Sequence, residues 1–514
     1  MTTWSQRLRP TVLPALAGIA AVALGLGAAE LSAALLAPSA SPLFVVGALV
    51  IDLAPPWAKE TMIALFGTGD KAALLTGMGV VLVLLAGATG VLQWRRPPLG
   101  RVLIAVGAVI GVGAAITRSG AAVLDVVPSG VAAIVASIAL TFLLRKVPEA
   151  QLAGAKSSRT ADPTRRTFLG WAGGATALGV LATGAGVLLE AGSRAATAVR
   201  DTFKLPKPAI AAAPVPAGAD FNIQGLAAVV TPNREFYRID TALQIPRIDP
   251  NSWTLKITGM VENEVELTWA ELIALPMEES YTTLMCVSDE VGGTLIGNAL
   301  WLGYPIRNIL AQAKPTPGAD MVLSKSIDGF TAGTPLEVLL EQDRNAIFAI
   351  GMNGEPLPEE HGFPVRMVVP GLYGYVSATK WVVELEVTRF DSASAYWTDR
   401  GWGAKGPVKI ESRIDVARGG VGEMTIAGVA WYQHEGITGV EVQVDDGPWQ
   451  PAVLAESISI DTWVQWKYDF APTAGDHIIA VRATGGDNEV QTSAIADVVP
   501  DGATGYHTVR VTAG

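Results

Sequence analysis

The sequence predicts a multi-domain chain: transmembrane helices at the N-terminus, then an α+β domain, then a β-sandwich. Three observations predict it. Long apolar runs are confined to residues 1–190. Residues 226–390 mix strand-like and helix-like stretches. Beyond about residue 405, short β-rich runs alternate with Gly, Asp and Asn, the spacing of a sandwich.

Composition supports the first element. Half of the 514 residues are hydrophobic and only 17% are charged, too apolar for an ordinary soluble protein. The net charge is -11, with the acids mostly in the later half. That excludes nucleic acid as a partner, which needs clustered Lys and Arg. One cysteine, Cys286, excludes an intrachain disulfide. Its plain reading is a buried core thiol.

A bilayer core needs about 20 apolar residues per helix. Five segments qualify: 11–37, 72–94, 102–117, 121–144 and 168–190. The first four make a transmembrane region over 1–150. Arg7 and Arg9, then Arg95, Arg96 and Arg101, then Arg145, Lys146, Lys156, Arg159, Arg165 and Arg166 flank alternate sides of these segments. Placing all three groups in the cytoplasm leaves everything after residue 190 outside. The expected location is a multi-pass cell (inner or plasma) membrane protein with an exterior or periplasmic globular half. The apolar stretch 43–54 is too short to span, and lies at the interface or re-enters. Glu30 and Asp125 are expected to face the bundle interior, which keeps a transport role open.

Residues 151–203 hold a cytoplasmic loop and the fifth helix. Thr164-Arg165-Arg166-Thr167-Phe168-Leu169 before a Gly/Ala-rich apolar run looks like a twin-arginine export signal. The alternative is an Arg pair obeying only the positive-inside rule. The fifth helix is expected to be retained as an anchor. Residues 204–225 are a Pro/Ala-rich linker, read as a semi-rigid spacer. None of the four histidines, His361, His434, His477 and His507, lies in the membrane half, so no haem is expected.

In the globular half, Leu255-Lys256-Ile257-Thr258-Gly259 alternates like a strand ending at a turn. Thr268 and Glu271 stand at capping-box spacing and open a short helix. Gly439-Val440-Glu441-Val442-Gln443-Val444 and His477-Ile478-Ile479-Ala480-Val481 read as sandwich strands.

Leu284-Met285-Cys286-Val287-Ser288-Asp289-Glu290 is followed by Gly297-Asn298-Ala299-Leu300-Trp301-Leu302-Gly303. Later come Met352-Asn353-Gly354, His361-Gly362-Phe363-Pro364-Val365-Arg366 and Lys380-Trp381, with Phe236-Tyr237-Arg238 upstream. Together these segments resemble the sulfite-oxidase family of molybdenum oxidoreductases over roughly residues 226–511. The resemblance implies a molybdopterin-binding domain over 226–390 and an immunoglobulin-like sandwich, of the type through which the family pairs, over 391–514. It implies molybdenum-molybdopterin as cofactor and Cys286 as the metal ligand. It also implies Tyr237, Arg238, Ser288, Asp289, His361, Arg366 and Lys380 around the pterin, with Arg238 near the substrate as well. The chemistry agrees. A soft thiolate suits molybdenum, Arg366 offers a planar fork for a phosphate, and Lys380 offers a point charge.

The departures bear on substrate. Glu290 and Val291 stand where the family places arginines, Trp402 near its active-site tyrosine, and Val499 near another arginine. The expectation is oxygen-atom transfer on an organic S- or N-oxide, with Cys286, Arg238 and Trp402 as catalytic residues. Sulfite oxidation remains the alternative, and a non-catalytic surface binding protein is an alternative of another class. Expected partners are a small-molecule substrate, the membrane, an external electron carrier such as a cytochrome or quinone-linked protein, and a second copy in a homodimer.

Overall fold

The computed structural model describes residues 11–37, 40–54, 61, 65, 70–117, 123–147, 163–190, 199–242 and 245–514. The chain divides into two compact units, Met1–Arg194 with Ala242–Gln244, and Ala195–Thr241 with Ile245–Gly514.

Among the described residues the first unit holds five helices long and apolar enough to cross a membrane. They are Val12–Leu36, Ala73–Arg95, Leu99–Ile116, Val123–Leu144 and Arg166–Gly186. Each falls on an expected segment. Val12–Leu36 is the core helix. Its Leu13, Ala17, Ala20 and Ala21 pack with Leu140, Leu143, Phe168 and Ala172 from two other helices. Small residues permit the close approach. A Cβ on Gly90 would lie 1.9 Å from the Pro14 carbonyl oxygen. The stretch 43–54 forms the shorter helix Pro42–Leu53. Glu30 and Asp125 are both buried, and Ser41 Oγ donates to Glu30 Oε2 at 2.8 Å. Arg7, Arg9, Lys156 and Arg159, which carried part of the orientation argument, lie outside the described residues.

Among the described residues the second unit contains four sheets. One runs, in spatial order, Val265–Thr268, Thr254–Gly259, Val382–Thr388, Met321–Ser326 and Thr331–Pro335. Its one parallel pairing, Ile257 opposite Leu385, joins chain segments far apart in sequence. The expected capping box is formed: Thr268 Oγ1 accepts from Glu271 N while the Glu271 carboxylate accepts from Thr268 N. A second sheet is built on the antiparallel pair Glu278–Met285 and Ile296–Pro305, with Ile347–Met352 beside it and Arg366–Val368 paired to that strand. This sheet carries the candidate site at its end.

The C-terminal region holds two four-stranded antiparallel sheets. One contains Glu411–Gly420, Glu423–Trp431, Val464–Phe470 and Val453–Leu454. The other contains Gln450–Pro451, Ile437–Val444, Gly475–Gly485 and His507–Ala513. They share a core in which Ile426 and Trp466 of one sheet meet Val442, Ile479 and Val481 of the other.

The segment 204–225, read as a spacer, is instead tied down along the globular unit. Ala209 N donates to Met277 O at 2.7 Å, Glu279 N to Ile210 O at 2.8 Å, and Phe221 N to Gln465 Oε1 at 2.9 Å. A Pro-rich segment has fewer backbone donors, and here neighbouring backbone and side chains pair with several of the groups it has.

Candidate molybdenum-cofactor site

Cys286 follows directly on the strand Glu278–Met285, at the start of a tight loop that returns into Ile296–Pro305. The loop is closed from inside. Cys286 N donates to Leu295 O at 2.9 Å, Asp289 N to Cys286 O at 3.1 Å, and Leu295 N to Asp289 Oδ1 at 3.0 Å. Gly292 has φ +82, and a Cβ there would lie 2.4 Å from the His507 ring. Only glycine fits that turn against the C-terminal sheets.

The Cys286 thiol lies 3.0 Å from the Ser288 hydroxyl. The residue keeps partial exposure, yet protein surrounds the sulfur closely enough that burial pushes its pKa up, against the lowering effect of Ser288. A metal must therefore displace the thiol proton on binding. Burial also raises the Asp289 carboxyl to about 6, and its Oδ2 has no hydrogen-bond partner among the described residues.

A basic cluster stands nearby. Gly362, at φ +114, brings its members together, since a Cβ there would lie 2.9 Å from Arg366 Cβ and 3.2 Å from Lys380 Cβ. Arg366 is buried and donates to His361 O at 3.1 Å and Met367 O at 3.3 Å. Its guanidinium stands 5.0 Å from the Trp301 ring centroid, and no carboxylate pairs with it among the described residues. Burial brings its pKa down to about 10. His361 is buried, hydrogen-bonded through Nε2 to Asn233 O at 3.2 Å, and neutral at pH 7. Burial first, then Arg366 and Lys380, hold its pKa at about 4.

Lys380 Nζ bonds Asp240 Oδ2 at 2.7 Å and Glu360 O at 3.0 Å. Burial lowers its pKa to about 8, with Asp240 opposing. Arg238 Nε reaches the same Asp240 oxygen at 2.8 Å. Tyr237 stacks on Phe236, whose ring meets Trp301 and His361 edge-on. Burial, then Cys286, raises the Tyr237 pKa.

These contacts bring Tyr237, Arg238, Cys286, Ser288, Asp289, His361, Arg366 and Lys380 into one region. Trp402 stands apart from the basic cluster. Its ring lies 6.0 Å from Tyr375 and 6.2 Å from Trp397. Tyr375 carries the link inward, because a Cβ on neighbouring Gly374 would lie 3.6 Å from Met285 O and 3.7 Å from the Tyr237 hydroxyl. Three residues escaped the sequence reading. Asp240 gathers the two cations, and its i+2 spacing from Arg238 is a readable signal. Tyr375 and Arg413 carry none. Arg413 Nη1 donates to Gly293 O at 2.7 Å, while Nε pairs with Asp415 Oδ1 at 2.6 Å.

The donor set fits a metal-bound anionic cofactor. A buried guanidinium without a counter-ion is costly, and a phosphate between Arg366 and Lys380 would supply the missing charge. The single thiol, Cys286, would supply a soft ligand.

Comparison with known proteins agrees. Residues 242–397 match the oxidoreductase molybdopterin binding domain. Mitochondrial sulfite oxidase of Mus musculus is 30% identical over 271 residues, 44% of this chain and 49% of the relative. The chain thus spans about half the length of that relative. The oxidoreductase YuiH of Bacillus subtilis (strain 168) is 31% identical over 158 residues, 31% of this chain and 76% of the relative. The solved sulfane dehydrogenase SoxCD from Paracoccus pantotrophus aligns at 21% identity and TM-score 0.47, over 56% of this chain and 82% of that one. The matched motifs around Cys286, Arg366 and Lys380 lie within the aligned domain, and the chain belongs to the sulfite-oxidase family of molybdopterin-dependent oxidoreductases.

Proposed function

We propose that the chain is a membrane-anchored oxidoreductase facing the cell exterior, acting by oxygen-atom transfer on an organic S- or N-oxide. Bound molybdenum-molybdopterin supplies a two-electron exchange of an oxygen atom. The chain's own residues do the rest. Cys286 gives its thiolate to the metal, and Ser288 donates a hydrogen bond to that sulfur. Arg366 and Lys380 hold the cofactor phosphate, and Asp240 keeps Lys380 and Arg238 in place. His361, neutral at pH 7, orders the Asn233 segment against the same face.

The observation that supports this substrate class is the scarcity of unpaired cations among the residues where the family places arginines. Glu290 is exposed, Val499 is 40% exposed, and neither supplies a cation. Arg238 is engaged by Asp240 and Arg413 by Asp415. Tyr375, Trp397 and Trp402 form an aromatic cluster of the kind that packs on an organic group. A small dianion needs several charge-assisted contacts, each worth about 1.5–3 kcal/mol. Missing two weakens sulfite recognition by roughly 3–6 kcal/mol, a factor of about a hundred to ten thousand. Sulfite is the second reading, supported by the name of the mouse relative. Specificity constants for sulfite and for a panel of S- and N-oxides, measured on one molybdenum-loaded sample, decide between them. The proposal expects the organic oxides to lead; sulfite ahead of every organic oxide overturns it.

The same reading places five crossings with the N-terminus inside, the Arg165-Arg166 pair as the export signal and the fifth helix as a retained anchor. It takes the C-terminal sheets as an immunoglobulin-like pairing domain of a homodimer, and an external cytochrome or quinone-linked protein as electron partner.

A further inference from the structure

We infer that Glu341, Asp343 and His434 form a second metal site, for a divalent transition ion with zinc as the best fit. One ligand atom from each of the three lies within 4.8 Å of the others. The two acids follow the helix Leu336–Leu340, where Glu341 turns the chain into an extended conformation. His434 comes from the turn after Glu423–Trp431 and is held at φ +74, with its N–H on Ile460 O at 3.0 Å.

His434 has the support from behind that a metal-ligating histidine needs. Its Nδ1 lies 3.1 Å from Asp461 Oδ1, and the Asp461 side chain is only 5% exposed. Metal-ligating histidines almost always use the other ring nitrogen this way, to fix tautomer and orientation. With Nδ1 on Asp461, Nε2 is the ring nitrogen that an ion would take.

Asp343 makes no ion pair or hydrogen bond among the described residues, although two other acids stand close by. Arg344 pairs with one oxygen of Glu341, Nε to Oε2 at 2.6 Å, and sends Nη1 to Pro370 O. Asp461 holds the His434 pKa above its ordinary value, so an ion must displace the imidazole proton on binding; with that proton gone, three carboxylates and one guanidinium leave an excess of two negative charges, which matches a divalent cation.

Zinc bonds of about 2.0–2.2 Å set ligand atoms roughly 3.3–3.6 Å apart. Glu341 and Asp343 are both exposed, so they can close from a separation within 4.8 Å to that spacing. An imidazole with two carboxylates favours zinc over calcium or magnesium, which take oxygen-only shells. Binding would clamp the 341–344 loop to the 433–434 turn, well away in sequence from Cys286.

The test uses the full chain, purified with its molybdenum content measured. Zinc chloride is added after dialysis against a chelator. The inference predicts about one tightly bound zinc per chain, with N/O-only ligation at the zinc X-ray absorption edge and a raised melting temperature. Asp343→Asn and His434→Gln should each lower zinc affinity at least tenfold, with molybdenum content and turnover unchanged. Asp343→Asn alone carries the test if His434→Gln misfolds, because Asp343 is exposed. No zinc retained, equal affinity in Asp343→Asn, or sulfur at the zinc edge (zinc captured by Cys286) overturns the site. The molybdenum readout keeps this outcome separate from the proposed function.

Discussion

Lys380 places its ammonium 2.7 Å from Asp240 Oδ2, with the two side chains only 10% and 4% exposed. Removing one partner of a buried pair strands the other charge, at about 3–5 kcal/mol. Asp240→Asn should therefore destabilise the cofactor-free protein by roughly that amount. The cofactor-loaded protein should lose less, because a bound phosphate compensates Lys380. Denaturant unfolding of both forms checks this; equal losses would mean that Lys380 faces no anion.

Arg366 makes the second prediction. It is buried, and among the described residues its partners are carbonyl acceptors and an aromatic face. Arg366→Gln should weaken cofactor retention on the order of ten- to a hundredfold, the worth of one charged hydrogen bond. Arg366→Lys should recover part of the loss, since it restores charge without the planar fork. Cofactor remaining after gel filtration, read from its absorbance, measures both.

His361 predicts a pH effect. Its folded pKa is about 4 against 6.5 unfolded. Between those values the unfolded chain binds the extra proton, so stability falls as the solution is acidified from pH 6.5 towards 4. The lowering is worth about 3 kcal/mol over that window. His361→Gln should remove this contribution, and unfolding of cofactor-free wild type and variant across the window should diverge accordingly. Parallel curves would contradict the burial of a neutral imidazole.

Topology gives a fourth. A reporter active only outside the cytoplasm should be active when fused after residue 225 and inactive after residue 155. Replacing Arg165 and Arg166 by Lys should block export of the globular half while the first four helices still insert. Unimpeded export would reduce the pair to a topology charge.

Much of this was legible in the sequence for identifiable reasons. Apolar runs of bilayer length leave few alternatives, and all five reappear as helices. Thr268 and Glu271 meet because a capping box is local. Cys286, His361, Arg366 and Lys380 stood out through short motifs. What stayed hidden depends on long-range partners. Nothing in the Pro/Ala composition of 204–225 names Met277 or Gln465 as its acceptors. Arg413 reaches Gly293 across 120 residues, and Asp461 backs His434 from another turn. Tyr375, standing between Trp402 and the Cys286 loop, is placed only by tertiary packing.

The central claim is that Cys286 binds the metal. Molybdenum-edge X-ray absorption on the full chain, compared with Cys286→Ser, tests it most directly. The account predicts about one molybdenum per chain in the wild type. It predicts one sulfur fewer around the metal in the variant, with turnover nearly abolished and part of the cofactor retained through Arg366 and Lys380. An unchanged sulfur shell and unchanged turnover in Cys286→Ser would contradict it.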